Sequence, residues 1–446
     1  MSERESTGDR AISRRELVKR AGVGVGGMVL SGSVAGPVWA SPRNEESYDA
    51  ANTITLGFVS PLTGPAAGFG EPDPYVIGLA RKAFASGLTI GGTKYAVKIV
   101  NKDSQSAPAQ AAKVAGELIN GTKVDLMLAT STPEVVNPVA DAAEAAGVPY
   151  ITTVVPWEAW YFGRGAKSPT KSPFRYGIHF CFGVENFYHA YTHLWPQVHT
   201  NKKVGVMWPN DADGNAIRAG LGPLLEKAGY TIVDPGAYQD GTTDYSAQIA
   251  KFKSENCQIF NTFPIPPDFA TFWRQAAQQG YTQMVKIAQI AKTGLFPSQV
   301  TSLGSLGHNL ASAVYWHPTW PYRSSLTGLT SKQIANGYIA RAHKQWNQQA
   351  GASLALFDVA KAALVASGNP KDKTAVAAAF RKVHVQTPLG VLDWRKKRAG
   401  VPWNVVPTPI PGGQWVPVNN KFKIDFVICE HSDDHRIPIG GRLKPY

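Results

Sequence analysis

Three adjacent hydroxyl-bearing residues, Thr130, Ser131 and Thr132, stand between an apolar run and a stretch with helical spacing. Their side chains can donate hydrogen bonds, and the first N–H groups of a helix carry a partial positive charge, so this loop favours an anion such as a carboxylate. The same hydroxyls are also suited to capping the helix, and the two roles are compatible. The spacing therefore predicts a carboxylate-binding loop at residues 130–132.

A turn rich in glycine and proline precedes this loop in the chain. In ITLGFVSPLTGPAAGFG, residues 54–70, alternating apolar residues predict a strand, and the prolines and glycines after it predict a tight turn before a helix. Open α/β sheets bind ligands at the carboxyl ends of such strands. Phe69 lies in this turn, where it would either cover a ligand or pack into the core.

A third predicted strand ends at the same edge of the sheet. The apolar run at 148–154 leads into a loop that holds Val154, Pro156 and Trp157. Four aromatic residues crowd into positions 157–162, in a segment predicted to be a loop, where they would cover either a core or a flat ligand. Because parallel strands with helical crossovers bring their following loops to one edge, these loops predict a ligand site.

The second half of the chain repeats the alternation of strand and helix. The main predicted strands are 202–208, 258–263 and 284–289. The loops that follow them are expected to face the first set of loops across a cleft. They contribute three further candidate binding residues: Asp213, Pro264 and Gln289.

Taken together, these segments resemble the Leu/Ile/Val-binding protein family, the type I periplasmic solute receptors of ATP-driven importers. The resemblance covers residues 52–394, and its segments come in the family's order. They are SPLTGPAAGFG at 60–70, KDSQSAPAQAA at 102–112, PVADAAEAAGVPYIT at 138–152, DYSAQIAKFKSENCQIF at 244–260 and TPLG at 387–390.

The resemblance implies an α/β fold of two Rossmann-like lobes with parallel sheets, joined by a hinge that the chain crosses three times. It implies that a small-molecule ligand is captured as the lobes close, with its carboxylate held by Ser/Thr groups and by the loop after the next strand. It also implies a partner, an ABC permease in the inner membrane. A ligand sensor on the same scaffold, signalling to a kinase or chemoreceptor, is the alternative.

The lobes are expected to be discontinuous in sequence. Lobe 1 is expected to comprise 52–177 and 314–388, and lobe 2 to comprise 178–313 and 389–400. The remaining Pro-rich segment, 401–446, is expected to pack on the lobes as an extension, with short strands on the surface near 414–418 and 423–428.

The chain departs from the family's amino-acid-binding members in the second lobe. Those members usually carry a Tyr where this chain has Asp213, and an acidic residue where it has Gln289 and Lys292. An α-ammonium group buried without a counter-charge is costly. Unless Asp211 or Asp213 supplies that charge, branched-chain amino acids are doubtful ligands, and aromatic or aliphatic carboxylates or amides fit better.

The N-terminus carries the pattern of an export signal. SRRELVK at 13–19 resembles a twin-arginine motif, and a weakly apolar run at 21–35 and the small-residue site before Ser41 complete a predicted signal peptide at 1–40. This region has no cysteine, so a lipid anchor is not expected. The mature protein is predicted to be a periplasmic monomer exported by the twin-arginine route.

Charge and motif content do not indicate other classes of function. The net charge is +13, but the basic residues are dispersed and no nucleic-acid-binding fingerprint accompanies them, so nucleic acid is not a predicted partner. No nucleophile elbow, P-loop or H-E-x-x-H motif occurs. The sequence therefore predicts neither an enzyme nor a bound cofactor.

Two pairs of residues could suggest further sites. His189 and His193 have metal-ligand spacing on a predicted helix, but no third ligand is evident, so a helix-face pair is the interpretation and no metal is predicted. Asp358 and Lys361 lie on an Ala-rich helical segment and are interpreted as a surface ion pair. The three cysteines are far apart in the sequence and allow at most one intramolecular disulfide with one thiol left over; buried thiols are the interpretation.

Overall fold

A computed structural model describes residues 50–263 and 266–446; the predicted signal peptide and the candidate Pro264 lie outside the described residues. The strands of the described part are β1 Thr53–Ser60, β2 Leu88–Ile90, β3 Thr93–Asp103, β4 Leu126–Thr130, β5 Tyr150–Thr153, β6 Gly177–Phe180, β7 Lys203–Met207, β8 Thr231–Val233, β9 Ile259–Thr262, β10 Ile287–Ile290, β11 Ala311–Ala313, β12 His384–Thr387, β13 Gly390–Asp393, β14 Val405–Val406, β15 Gly412–Pro417 and β16 Ile424–Ile428.

Helices alternate with these strands through most of the chain. The α-helices are α1 Asp73–Ala83, α2 Pro108–Gly116, α3 Pro133–Ala145, α4 Trp157–Tyr161, α5 Val184–Leu194, α6 Ala212–Lys227, α7 Ser246–Ser254, α8 Pro266–Gln278, α9 Pro297–Thr301, α10 Ser331–Ala342, α11 Gln349–Ser367 and α12 Lys373–Ala379. A π-helical turn at Glu117–Thr122 extends α2. Short 3-10 helices lie at Ala50–Asn52, Ala67–Phe69, Trp195–Gln197, Lys292–Leu295, Gly304–Gly307 and Phe380–Lys382.

The first sheet has seven strands in the order β14-β6-β5-β4-β1-β3-β2. All neighbours pair in parallel except β2 and β3. Strands β4, β5 and β6 are buried along their whole length, which is typical of parallel strands covered by helices on both faces. In the register of the centre, Leu56 of β1 lies opposite Ile99 on one side and Leu126 on the other.

The second sheet also has seven strands, in the order β16-β15-β11-β10-β9-β7-β8. Strands β7 to β11 pair in parallel, whereas β15 and β16 are antiparallel additions at one edge. The chain passes between the sheets three times: after β6, after β11 and after β14. The sequence therefore correctly predicts an α/β fold with two mainly parallel sheets and three crossings.

The C-terminal segment completes both sheets, and the prediction that it only lies on the surface is wrong. Strand β14 joins the edge of the first sheet beside β6, and β15 and β16 extend the second sheet. The side chain of Trp415 in β15 is fully buried, and its Nε1 donates a hydrogen bond to the carbonyl oxygen of Gly294 at 2.9 Å. The pairings of β14 with β6 and of β15 with β11 are long-range, so nothing local in the sequence specifies them.

The course of residues 389–400 also differs from the expected one. Strand β13 forms an antiparallel hairpin with β12 instead of joining the second sheet. The ring of Trp394 lies 6.3 Å from that of Phe180 in β6, and its Nε1 donates a hydrogen bond to the carbonyl oxygen of Asn404. The third crossing therefore comes after β14 and not at the TPLG segment.

The aromatic segment at 157–162, predicted to be a loop, contains the short helix α4. Trp160 is fully buried, and its ring stacks on that of His179 with 4.7 Å between the centroids. The guanidinium of Arg164 lies 4.9 Å from the ring of Trp160 and 4.0 Å from that of Phe174. Trp160 and Tyr161 therefore serve the core of the first sheet, which was one of the two roles considered.

Helix α11 is the most deeply buried of the helices that pack on the first sheet. By length and apolar composition it could span a bilayer, but 72% of its most apolar window is buried inside the protein, as in the core helix of a soluble fold. Asp358 on this helix is fully buried, and its Oδ1 accepts hydrogen bonds from the Ser324 hydroxyl and the Leu326 N–H at 2.8 and 2.7 Å. The prediction of a surface ion pair with Lys361 is wrong.

Burial raises the pKa of Asp358 to about 7 from an ordinary 3.8, despite these hydrogen bonds. Because the folded state then binds the proton more tightly than the unfolded state, ionised Asp358 destabilises the protein above pH 7, and this effect disappears below about pH 4. We expect Asp358→Asn to be more stable than wild type at pH 8, by about 1.4 kcal/mol for each unit by which folding raises the pKa of Asp358. The difference should shrink as the pH falls to 4. Denaturant unfolding at pH 4, 6 and 8 measures it.

The control for this experiment is Glu226→Gln, which changes an exposed carboxylate on α6. Its unfolding curve should follow that of wild type at each pH. A pH-independent difference between Asp358→Asn and wild type would contradict the assignment of the effect to a buried carboxyl group.

Candidate functional site

The carboxyl ends of strands from both sheets meet around one cavity of about 40 Å³. The first sheet contributes residues that follow β1, β4, β5 and β6, and the second contributes residues that follow β7, β9 and β10. The lining residues are Phe69, Ser131, Val154, Pro156, Phe182, Phe187, Asp213, Phe263, Ala291, Lys292, Leu295, Ala313, Tyr315 and Ile410. Five of the candidates named from the sequence are thus brought together: Phe69, Ser131, Val154, Pro156 and Asp213.

Two of these residues have strained backbones where their strands end. Ser131, just after β4, has φ of 134°, and Val154, just after β5, has φ of 67°. Positive φ is unfavourable for any residue with a Cβ and most of all for a β-branched one such as Val154. Strain of this kind persists only where the surrounding structure imposes it, and it concentrates at functional sites. The surrounding structure therefore holds the two strand ends in place.

An ion cluster lies on the second-sheet side of the cavity. Lys292 Nζ lies 2.9 Å from Asp213 Oδ2 and 3.1 Å from Asp211 Oδ2, and all three side chains are buried. Asp211 also caps α6, because its Oδ1 accepts the N–H of Gly214 at 2.6 Å. With one ammonium and two carboxylates, the cluster carries a net charge of −1 when all three groups are ionised.

The pKa values of the cluster follow from burial and from mutual attraction. Burial raises the pKa of Asp213 above its ordinary 3.8, and the ammonium of Lys292 opposes that rise. Burial lowers the pKa of Lys292, but the carboxylates of Asp211, Asp213 and Glu134 raise it by more, so the net pKa lies well above 10.5. Lys292 is therefore charged at neutral pH, and its charge is already matched by its carboxylate partners.

Two buried polar atoms at the cavity have no hydrogen-bond partner among the described residues: Ser131 Oγ and Asp213 Oδ1. Buried polar groups are nearly always hydrogen-bonded, so an unpaired one at a cavity is a site where a ligand can bind. Asp213 Oδ1 can only accept while ionised, whereas the Ser131 hydroxyl can donate or accept. The two atoms come from opposite sheets.

Aromatic rings form most of the remaining wall. Phe182 and Phe187 lie 5.0 Å apart between ring centroids, Phe187 and Phe263 also lie 5.0 Å apart, and Phe182 stacks on Tyr315 at 5.9 Å. Phe69 contacts Phe296 edge-on at 4.8 Å. Such rings favour a flat or apolar ligand body.

The cavity is too small for such a ligand in this arrangement of the sheets. Its volume of about 40 Å³ admits about three water molecules, since one needs roughly 10–15 Å³ on the same measure. A ligand with a ring must therefore move the two sheets apart or displace the lining side chains when it enters.

The other candidates lie outside the cavity lining. The Thr130 hydroxyl accepts a hydrogen bond from Gln349 Nε2 at 2.7 Å, and Gln289 Oε1 accepts one from Trp195 Nε1 at 3.1 Å, so both serve the interior. Thr132 is the N-cap residue of α3, but its hydroxyl makes no capping bond. The Trp157 N–H donates to the carbonyl oxygen of Phe182 at 3.0 Å, and its ring packs over Gly183.

Sequence reasoning missed several lining residues. Phe182, Phe187 and Tyr315 lie at the crossings between the sheets, where no strand-end rule points to them, and Ile410 comes from the C-terminal segment. Phe263 ends a predicted strand and could have been found from the same rule that gave Pro264. Lys292 was noted only as an unsuitable partner for an ammonium group.

The histidine pair and the cysteines are accounted for elsewhere. His189 Nδ1 lies 3.2 Å from Asp433 Oδ1, and His193 Nδ1 lies 2.8 Å from the carbonyl oxygen of His189. Within residues 50–263 and 266–446, no group of three or more His, Cys, Asp or Glu side chains is arranged to hold a metal ion. The three cysteines are buried free thiols: Cys181, Cys257 and Cys429.

Two mainly parallel sheets, crossed three times by the chain and enclosing a cavity at their carboxyl edges, define a type I periplasmic binding protein fold. The family model for periplasmic binding proteins matches residues 53–407, and the chain belongs to that family. The protein is thus a periplasmic binding protein, and its family implies a periplasmic location.

Relatives support this assignment. The chain is 23% identical over 358 residues to the Leu/Ile/Val-binding protein homolog 3 of Brucella melitensis, which covers 76% of this chain and 87% of the relative. A solute-binding protein of an ABC transporter from Rhodopseudomonas palustris, solved with 3,4-dihydroxybenzoic acid, aligns with a TM-score of 0.67 and 18% identity over 89% of this chain and 97% of its own. A branched-chain amino acid transporter substrate-binding protein from Streptococcus pneumoniae, solved with isoleucine, aligns with a TM-score of 0.64 and 18% identity over 84% and 99%.

Removing the ammonium of Lys292 should strongly destabilise the folded protein. Lys292→Met leaves the carboxylates of Asp211 and Asp213 buried together without a counter-charge, and breaking a buried ion pair in this way costs about 3–5 kcal/mol. Urea unfolding at pH 8 measures the loss. At pH 5 the loss should be smaller, because a buried carboxylate without its partner takes up a proton.

Lys251→Met provides the matched control, since Lys251 pairs with Glu255 on an exposed helix face. The free energy of unfolding should change little there, because exposed ion pairs are weak. Equal effects of the two substitutions would show that the Lys292 cluster does not depend on its buried ammonium.

Proposed function

We propose that the protein captures a small organic carboxylate with a flat or apolar body and a hydrogen-bond donor at the end remote from the carboxylate. The observation that supports this most directly is the composition of the cavity. Aromatic rings form its walls, Ser131 Oγ lies unpaired on the first-sheet side, and Asp213 Oδ1 lies unpaired on the second-sheet side.

The carboxylate is assigned to the first-sheet side. Ser131 supplies a hydroxyl donor there, and the N-terminus of α3 adds a partial positive charge. The ammonium of Lys292 is less available to an anion, because Asp211 and Asp213 already neutralise it. Of the three hydroxyl residues at 130–132, only Ser131 is thus assigned to the ligand.

The donor group of the ligand is assigned to Asp213. Its free Oδ1 can accept from a phenolic hydroxyl, an amide N–H or an ammonium group. The relative solved with 3,4-dihydroxybenzoic acid binds a carboxylate with phenolic hydroxyls remote from it, whereas the one solved with isoleucine binds a carboxylate with an ammonium group next to it. The aromatic wall favours the first kind of ligand, and Asp213 supplies the acceptor that an amino acid would need.

We propose that binding proceeds by closure of two lobes. Lobe 1 is built on the first sheet and lobe 2 on the second. The limits of the lobes are those expected from the sequence, except that residues 389–406 belong to lobe 1. A ligand that contacts both lobes binds the closed form more tightly than the open one, and this difference drives closure. The permease would recognise the closed form of a monomer.

Export by the twin-arginine route is proposed on the sequence alone. The pair Arg14 and Arg15, the apolar run after it and the small residues before Ser41 support it.

A thermal-shift screen tests the ligand class. The purified protein is heated with 3,4-dihydroxybenzoate, hexanoate, benzamide, L-isoleucine and L-leucine. A ligand at 100 times its dissociation constant should stabilise the folded state by about 2.7 kcal/mol, and we expect 3,4-dihydroxybenzoate to give the largest shift. A shift with the amino acids alone would assign Asp213 to an ammonium group. No shift with any compound would contradict the proposed class.

Ser131→Ala should weaken binding of the best ligand at least tenfold. It removes one hydrogen bond to a carboxylate, worth about 1.5–3 kcal/mol, made by the unpaired hydroxyl of a residue that lines the cavity. Isothermal titration calorimetry measures the change. Thr132→Val, the next hydroxyl along the chain and outside the cavity lining, serves as the control and should retain wild-type affinity. Equal affinities of wild type and Ser131→Ala would remove Ser131 from the site.

A further inference from the structure

Four of the chain's ten histidines line one open pocket of about 440 Å³, which we call the histidine pocket. His189 and His193 come from α5, and His431 and His435 come from the chain that follows β16. Neutral imidazole is a preferred ligand of zinc, copper and nickel ions. Among the described residues, none lines both the histidine pocket and the cavity between the sheets, so the histidine pocket is a separate place for chemistry.

Hydrogen bonds decide which nitrogen of the two α5 histidines can bind a metal ion. His193 Nδ1 donates to the carbonyl oxygen of His189 at 2.8 Å, and His189 Nδ1 donates to Asp433 Oδ1 at 3.2 Å. Because a neutral imidazole carries only one proton, the lone pair lies on Nε2 in both rings. The two residues are four apart on one helix and therefore share a face. Two histidines at this spacing can bind one metal ion.

Asp433 stands behind His189 in the way that a carboxylate commonly stands behind a metal-ligating histidine. Its side chain is only 8% exposed. Its Oδ2 accepts from Asn186 Nδ2 at 2.8 Å and from the N–H of Ile410 at 3.3 Å, so the carboxylate is itself fixed. A fixed carboxylate orients the imidazole and makes it a stronger base. His189 is thus held in the tautomer that a metal ion needs.

The C-terminal segment brings two more imidazoles to the histidine pocket. His431 Nδ1 donates to the carbonyl oxygen of Ile437, which again places the lone pair on Nε2. The rings of His431 and His435 lie 5.0 Å apart between centroids, and His435 is exposed, so its ring can turn. No three ligand groups of the described chain already surround a common point. The α5 pair is therefore the core of the site, and a ring from the C-terminal segment or water completes the coordination.

The thiol and the acidic side chain of the histidine pocket are poor ligands. Burial raises the pKa of the Cys429 thiol to about 12, and the thiolate is the form that binds metal. Glu430 Oε2 accepts from the N–H and the hydroxyl of Ser432, both at 2.8 Å, and its Oε1 accepts the N–H of Gly412. Imidazole ligands without free carboxylates select zinc, copper or nickel over magnesium and calcium, which prefer oxygen.

We propose that the histidine pocket binds a divalent transition-metal ion, with Nε2 of His189 and Nε2 of His193 as its ligands. The ion is of the class of Zn²⁺, Ni²⁺ and Cu²⁺. The sequence offers the α5 pair but no third imidazole near it, and the fold supplies His431, His435 and the supporting carboxylate of Asp433. The proposal does not rest on the ligand class assigned to the cavity, because the two places share no lining residue among those described.

Isothermal titration calorimetry of the purified protein, free of any histidine tag, tests the proposal with ZnCl₂ and with MgCl₂. We expect one Zn²⁺ to bind per chain and Mg²⁺ to give no binding heat. His193→Ala should weaken Zn²⁺ binding at least tenfold, which is the smallest loss typical even when only the hydrogen-bond partner of a ligand is removed. Since His193 is exposed, this variant should fold as wild type does, and its thermal unfolding without metal checks that.

His384→Ala is the matched control. His384 Nδ1 lies 3.1 Å from Asp393 Oδ2, and its side chain is 47% exposed, against 40% for His189, but it lies outside the lining of the histidine pocket. Its affinity for Zn²⁺ should equal that of wild type. A wild type that binds no Zn²⁺, an unchanged affinity in His193→Ala, or an equal loss in His384→Ala would overturn the proposal.

Cu²⁺ gives a direct view of the ligands. In pulsed electron paramagnetic resonance, an imidazole bound through one nitrogen reveals its other, remote nitrogen, and combination lines appear when two imidazoles are bound. We expect these lines from wild type with one equivalent of Cu²⁺ and their loss in His193→Ala. A spectrum without imidazole nitrogen, or one that is the same in both proteins, would contradict ligation by the α5 pair.

Discussion

After each parallel strand, the chain must return through a crossover that begins at the carboxyl end of that strand. The rest of this structure depends on that constraint. The crossovers after β1, β4 and β5 leave their loops at one edge of the first sheet, and those after β7, β9 and β10 leave theirs at one edge of the second. The two edges face each other across the cavity. A cavity between the sheets is therefore a consequence of topology, and the loop side chains decide its chemistry.

The cavity concentrates groups that are unfavourable by themselves. Asp211, Asp213 and Lys292 are charged and buried, and the backbones at Ser131 and Val154 are strained. The strained backbones are tolerated because the surrounding structure fixes their positions. The charges are tolerated because the ammonium of Lys292 neutralises one of the two carboxylates, which leaves the ion cluster with one negative charge. The oxygens Ser131 Oγ and Asp213 Oδ1 remain unpaired among the described residues.

The C-terminal segment links the two halves more closely than a surface extension would. It adds β14 to the first sheet, passes the cavity at Ile410 and then adds β15 and β16 to the second sheet. It thus forms the third crossing and part of the cavity wall at once. The indole of Trp415 anchors it through the carbonyl oxygen of Gly294, close to the residues that contribute Lys292 and Leu295.

The sequence by itself determined the alternation of strands and helices, because buried parallel strands are continuous apolar runs and glycine and proline mark the turns after them. From those strand ends the sequence also predicted five residues that line the cavity: Phe69, Ser131, Val154, Pro156 and Asp213. Only the tertiary structure decided that Thr130 and Gln289 turn inward to Gln349 and Trp195, since the direction of a side chain at a strand end depends on its neighbours in space. It alone also decided the places of Lys292, Tyr315 and Ile410, because long-range pairing and the burial of charge leave no local pattern in the chain.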